Sequence, residues 1–158
     1  MIEVNITPDM MAKAHQMSLE MGTLRNSISK GAGNMIGFLG ELIYNSVVEG
    51  DHTNTFDYDL ILDTGETVDV KSKKTSVKPL PHYDCTVAGL NTKQDCDHYG
   101  FTRIRNDMSV GWVLGHIPKK SFYEKAKLWK AGEEDPSNGY TTRTDCYSLA
   151  ISELKPLN

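Results

Sequence analysis

Two short runs of aliphatic and β-branched residues, 58–62 and 67–70, flank Asp63-Thr64-Gly65. That pattern predicts a β-hairpin with glycine in the left-handed turn position. A three-residue loop sets Leu62 opposite Glu66, Asp59 opposite Asp69 and Asp57 opposite Lys71. A two-residue loop would slip the pairing by one and turn Asp69 and Lys71 to the other face. A type I turn closed by a left-handed glycine is the common three-residue loop, so the first register is favoured. Upstream, Met35, Ile36, Leu39, Leu42, Ile43 and Val47 form an apolar stripe that predicts a helix over 34–48. Gly37 and Gly40 each cost about 1 kcal/mol relative to alanine inside a helix, which predicts a strip packed closely on the sheet. Glu41 then points toward the hairpin.

Before that helix, Thr7-Pro8 supplies an N-cap and a first-position proline for a helix rich in methionine. A polar, glycine-bearing link follows over 25–33. Its Gly31-Ala-Gly33 lacks the Lys-Ser/Thr of a P-loop and the full dinucleotide fingerprint, so nucleotide binding is rejected. After the hairpin, Pro79 and Pro81 break the chain, and strands are expected over 83–87, 99–105 and 112–117. Tyr99, Phe101 and Arg103 alternate along the second of these. Pro118 opens an expected helix to about residue 131, with Phe122, Ala126 and Trp129 as its core face. A polar turn over 132–139 and a strand over 145–151 complete the pattern, which is that of an α/β protein with a mixed sheet flanked by helices.

With 158 residues, the chain suits one domain that buries a sizeable core. It has no apolar run long enough to span a membrane and no signal peptide, so a cytoplasmic location is expected, with no membrane partner. Cys85, Cys96 and Cys146 are odd in number and lack a paired spacing, which excludes a disulfide framework. Together with His82 and His98 they match no structural zinc spacing. The net charge of −4 argues against strong unspecific binding to nucleic acid, but the average hides a division. From Glu41 to Asp69, both included, there are eight acidic residues and no Lys or Arg, and Lys71, Lys73, Lys74 and Lys78 follow at once. Lys119, Lys120, Lys125, Lys127 and Lys130 form a second cluster on the expected third helix. Such local clusters supply phosphate contacts.

Like charges facing each other across a strand pair are destabilising, and the repulsion grows as water is excluded. A hard divalent cation removes that penalty and takes oxygen ligands from carboxylates, phosphate and water. Lys71, on the same face as Asp69, is placed to orient a nucleophilic water or to offset charge developing on a phosphate.

Asp59-Leu-Ile-Leu, then Asp69-Val70-Lys71 after nine intervening residues, resembles the signature of the PD-(D/E)xK nuclease superfamily. Gly37-Phe-Leu-Gly40-Glu41 resembles the helix that carries the superfamily's additional acidic ligand. Phe56-Asp57-Tyr58 stands where the motif's name has proline, and it leaves Asp57 as a rival to Asp59 for the first carboxylate. The resemblance covers about residues 31–87. It implies a restriction-endonuclease-like core and a metal-dependent DNA phosphodiesterase, endo- or exonuclease, using Mg²⁺ with Mn²⁺ as a substitute. Glu41, Asp59, Asp69 and the Val70 carbonyl are the implied metal ligands, and Glu41, Asp59, Asp69 and Lys71 the catalytic set. Lys73, Lys74 and Gln94 are the expected substrate contacts. DNA is the expected partner, with a homodimer as one assembly. The alternatives are a catalytically inactive DNA-binding or assembly protein on the same fold, and a small acidic interaction protein whose carboxylates only keep it in solution.

Overall fold

The computed structural model describes residues 1–21, 34–53 and 55–157; the expected polar link and its Gly31-Ala-Gly33 lie outside them. Helix α1 spans Pro8–Met21 and starts as its sequence dictates, with the Thr7 hydroxyl accepting the Met10 N–H at 3.1 Å. Helix α2 spans Asn34–Val48. Its buried residues extend beyond one stripe to include Phe38 and Tyr44, because α1 packs on one side of it and the main sheet on the other.

That sheet has six strands: β1 (Ile2–Asn5), β2 (Asp51–His52), β3 (Leu60–Ile61), β4 (Thr67–Thr75), β6 (His98–Arg105) and β7 (Val110–Pro118). Their order is β1-β7-β6-β4-β3-β2, with β4 and β6 parallel and the other pairs antiparallel. Val68, Val70, Ile104 and Val113 face the two long helices and form one core with Leu39, Leu42, Ile43 and Tyr44. The opposite face carries Tyr99, Phe101, Trp112 and Leu114. There the sheet meets helix α3 (Lys119–Lys125) and a three-stranded sheet of order β5-β11-β8, built from β5 (Asp84–Ala88), β8 (Lys127–Trp129) and β11 (Cys146–Ala150). A small hairpin of β9 (Glu134–Asp135) and β10 (Tyr140–Thr141) stands in the expected polar turn. The protein is α/β, as expected. No helix among the described residues is long and apolar enough to cross a membrane.

Three expectations change. The third helix stops at Lys125 instead of near residue 131, because Ala126 turns extended (φ −68°, ψ 144°) and the next residues pair with β11. The expected core spacing of Phe122, Ala126 and Trp129 thus bridges a helix and a strand, and Lys127 and Lys130 leave the helical cluster. Only Gly40 makes the close approach expected of both helix glycines. A Cβ there would overlap Ser72 Oγ and lie 2.6 Å from Thr102 Oγ1, whereas one at Gly37 meets nothing within 4 Å. Finally, β1 was not expected. It is a four-residue edge strand against β7, too short for its alternation to stand out.

Candidate active site

The hairpin loop has three residues. Gly65 takes φ +84°, its N–H donates to the Leu62 carbonyl at 2.8 Å, and Leu62 N–H donates to the Glu66 carbonyl at 2.9 Å. Leu60 therefore pairs with Val68, the last pair of the ladder, and the Asp59 N–H donates to the Val68 carbonyl at 2.9 Å, which brings Asp59 beside Asp69 without a regular pairing. The ladder stops there, so Asp57 does not reach Lys71 as the full register would require. Asp57 instead accepts the Asp95 N–H at 3.1 Å. Asp59 is buried at 8% exposure, and its Oδ2 accepts the Val70 N–H at 2.7 Å. A side chain thus takes the main-chain donor that a longer β3 would have paired. Of the two rival carboxylates, Asp59 is the one set beside Asp69.

Asp69, 4% exposed, points from β4 to the face opposite α2. The Lys71 ammonium lies 2.5 Å from its Oδ2. That contact is a close ion pair, and the oxygen has no other partner among the described residues. Gln94 closes the group. It follows the 3₁₀ turn Gly89–Lys93, and its amide donates to Asp69 Oδ1 (3.3 Å) and to the Phe56 carbonyl (2.9 Å) while its Oε1 accepts from Lys71 (3.1 Å). The Gln94 carbonyl is held by the Lys119 ammonium. Asp97 fixes the same loop to the hairpin by accepting both the N–H and the hydroxyl of Thr67 at 2.8 and 2.9 Å.

Glu41, on α2 and 7% exposed, lies near enough to Asp59 for its charge to act on that carboxyl. Its Oε2 lies 2.7 Å from His52 Nε2, a partner contributed by β2. The close seating of α2 depends on Gly40, whose missing side chain leaves room for Ser72 and Thr102, themselves hydrogen-bonded at 2.8 Å.

These environments raise carboxyl pKa values. Burial, then the charges of Glu41 and Asp69, push Asp59 up to about 8 against the opposing pull of the Val70 N–H and Lys71. Burial also raises Asp69, with Lys71 and Gln94 pulling the other way. Two buried carboxyls held above their ordinary range are short of positive charge, a condition common at functional sites.

The oxygen-only donor set suits a hard divalent cation. The charge deficit around Asp59 fits one as well. Even so, no three His, Cys, Asp or Glu side chains among the described residues form a ready-made metal cage. The aspartates engage the Val70 N–H and Lys71 instead.

Lys73 is exposed and lies two residues beyond Lys71 on the same face, where partial desolvation and then the neighbouring Arg103 charge lower its pKa. Lys74 is exposed and turns to the other face. His52, Lys119 and Arg103 were not expected at or near the site. Arg103 alone left a signal, a charge in phase with Tyr99 and Phe101. No protein-family model matches this chain, and no curated protein matches it in sequence.

Proposed function

We propose that the protein is a Mg²⁺-dependent DNA phosphodiesterase built on a restriction-endonuclease-like core. The observation that carries this reading is the set of buried carboxyls, Glu41, Asp59 and Asp69, gathered with Lys71 where strand pairing ends. Glu41, Asp59, Asp69 and the Val70 carbonyl would hold the cation, with Mn²⁺ as a substitute. Bound there, a divalent cation lowers the pKa of water and offsets charge on phosphate oxygens.

The chain's own groups do the rest. Lys71 leaves Asp69 and turns its ammonium to the attacking water and the phosphate. The water oxygen attacks phosphorus and gives up a proton to bulk water, the bond to the leaving sugar oxygen breaks, and that oxygen takes up a proton from bulk water. Gln94 keeps the ammonium in place through its Oε1, and His52 fixes Glu41. Lys73 adds a phosphate contact beyond the reacting group.

A DNA-binding protein without catalysis is the second reading. The direct Lys71–Asp69 contact and the lack of a ready-made cage among the described residues favour it. Linear, nicked, branched and single-stranded DNA incubated with the protein in Mg²⁺ or Mn²⁺ separates the two. Cleavage of at least one form that stops in EDTA is the expected result. Binding without cleavage of any form in either cation would favour the second reading.

A further inference from the structure

A cleft of about 810 Å³ opens beside Lys71 and runs across the sheet face toward the β9–β10 hairpin. Its volume lies in the range of about 300–1,000 Å³ that encloses small organic ligands. Arg103 lies on its wall. This side chain is 8% exposed, and its only hydrogen bond among the described residues is Nη2 to the Asp84 carbonyl at 2.5 Å. A guanidinium has five donors. None of its nitrogens is a sealed, unsatisfied atom, so the spare donors open on the cleft.

Lys73, directly paired with Arg103 in the β4–β6 ladder, lines the same wall, and Arg143 lines the cleft too. No ion pair joins Arg103, Lys73 or Arg143 to a carboxylate among the described residues. Two acids also line the cleft. Asp135 spends its oxygens on Ser137 and Asn138 within its own turn, and Asp84 lies near the cations without pairing. A buried, unpaired guanidinium is costly, and an anion entering the cleft would offset that cost. Trp129 and Tyr140 line the cleft as well. The Lys127 ammonium lies over the Trp129 ring, 3.5 Å from its centroid, so Tyr140, 56% exposed, supplies open aromatic surface and a base stacks on that face of Trp129 by displacing the ammonium.

We infer that this cleft is a subsite for an unpaired nucleotide, with Arg103 and Lys73 on its phosphate and its base against the aromatic wall. A duplex does not fit, because a cleft of about 810 Å³ encloses one small organic ligand and not two paired, stacked strands. Bases of a single strand stack on aromatic side chains whatever their sequence. The cleft adjoins Lys71, so a strand leaving the proposed reaction site passes into it. The nature of the strand rests on the proposed DNA function; the anion and base chemistry does not.

The test is binding of a twelve-residue thymidine oligonucleotide in EDTA at one fixed salt concentration, followed by tryptophan fluorescence. The wild-type signal is expected to quench on binding, and Trp129→Phe to lose that quench, since Trp112 is buried. Lys73→Ala and Arg103→Gln are each expected to weaken binding at least about tenfold and to lower the salt slope by about one. A duplex of equal length, and thymidine monophosphate, are each expected to bind at least about tenfold more weakly. Equal affinity of both variants and wild type for the single strand would overturn the inference, as would a duplex or a free nucleotide binding as tightly as the strand. Arg103→Gln is compared only if its circular dichroism is native, and Lys73→Ala, at an exposed position, carries the comparison otherwise. Single-strand binding without cleavage of any DNA form in Mg²⁺ or Mn²⁺ would sink the nuclease reading and leave the subsite standing. Cleavage of duplex with no single-strand binding would do the reverse.

Discussion

Asp59 Oδ2 accepts the Val70 N–H at 2.7 Å, so a carboxylate closes the strand edge at the point where β3 stops pairing with β4. The same burial that makes this bond possible pushes the carboxyl to about 8 from an ordinary value near 3.8. The raised value makes the native state hold more protons than the unfolded chain between about pH 4 and pH 8, so stability falls as pH rises through that window.

Asp59→Asn keeps an acceptor for Val70 and removes the titration. Urea unfolding of wild type and Asp59→Asn, without divalent cations, is expected to show the variant more stable at pH 8 and less sensitive to pH. Parallel stability curves from pH 5 to 8.5 would contradict the burial argument.

Lys71 stands between Asp69 Oδ2 at 2.5 Å and Gln94 Oε1 at 3.1 Å, and Gln94 keeps hold of the ammonium when it turns from Asp69 to the phosphate. Lys71→Ala is expected to lower cleavage by at least about a hundredfold, the scale of one preorganised electrostatic group. Gln94→Ala, which frees the ammonium without removing it, is expected to cost less than Lys71→Ala. Single-turnover rates at saturating DNA check both, and an unchanged rate in Lys71→Ala removes its catalytic role.

The hairpin register was legible because turn chemistry sets it. Asp63-Thr64-Gly65 demands a left-handed third residue, and Gly65 supplies it. The end of the ladder was not legible, since nothing local to Asp57 says that its carboxylate will be taken by the distant Asp95 N–H. The spacing of Phe122, Ala126 and Trp129 suits a helix, yet pairing with Cys146 and Ser148 draws Lys127–Trp129 into a strand. Tertiary pairing overrides local period in such a short segment. The His52 contact with Glu41 joins residues from separate elements through packing, and no spacing encodes it.

The two helix glycines separate close packing from helix propensity. Gly37→Ala meets open space and is expected to stabilise the protein by up to about 1 kcal/mol. Gly40→Ala drives a methyl into Ser72 and Thr102 and is expected to destabilise by about 1–3 kcal/mol, as overpacking does. Gly40→Ala combined with Ser72→Gly should recover part of the loss. Denaturant midpoints at constant slope give the comparison, and equal effects at both glycines would show that α2 does not need the close approach.

Above about pH 8, where Asp59 too is ionised, the buried carboxyls of Glu41, Asp59 and Asp69 face a phosphate that carries its own negative charge, so without a cation they oppose docking. Mg²⁺ or Ca²⁺ is therefore expected to strengthen DNA binding. Ca²⁺, which accepts looser geometry and more ligands, is expected to support binding with little cleavage. Asp69→Asn removes one carboxylate, and it also releases Lys71 from its 2.5 Å contact to face the DNA. Both changes predict that the variant binds DNA more tightly than wild type in EDTA, gains less on addition of Ca²⁺ and cleaves nothing measurable in Mg²⁺. DNA affinities of the two proteins at one salt concentration, in EDTA and in Ca²⁺, supply the four values needed. Wild-type affinity indifferent to the cation, with Asp69→Asn behaving identically, would show that these carboxylates share no metal site. The repulsion between them would then be relieved by protons and Lys71 alone.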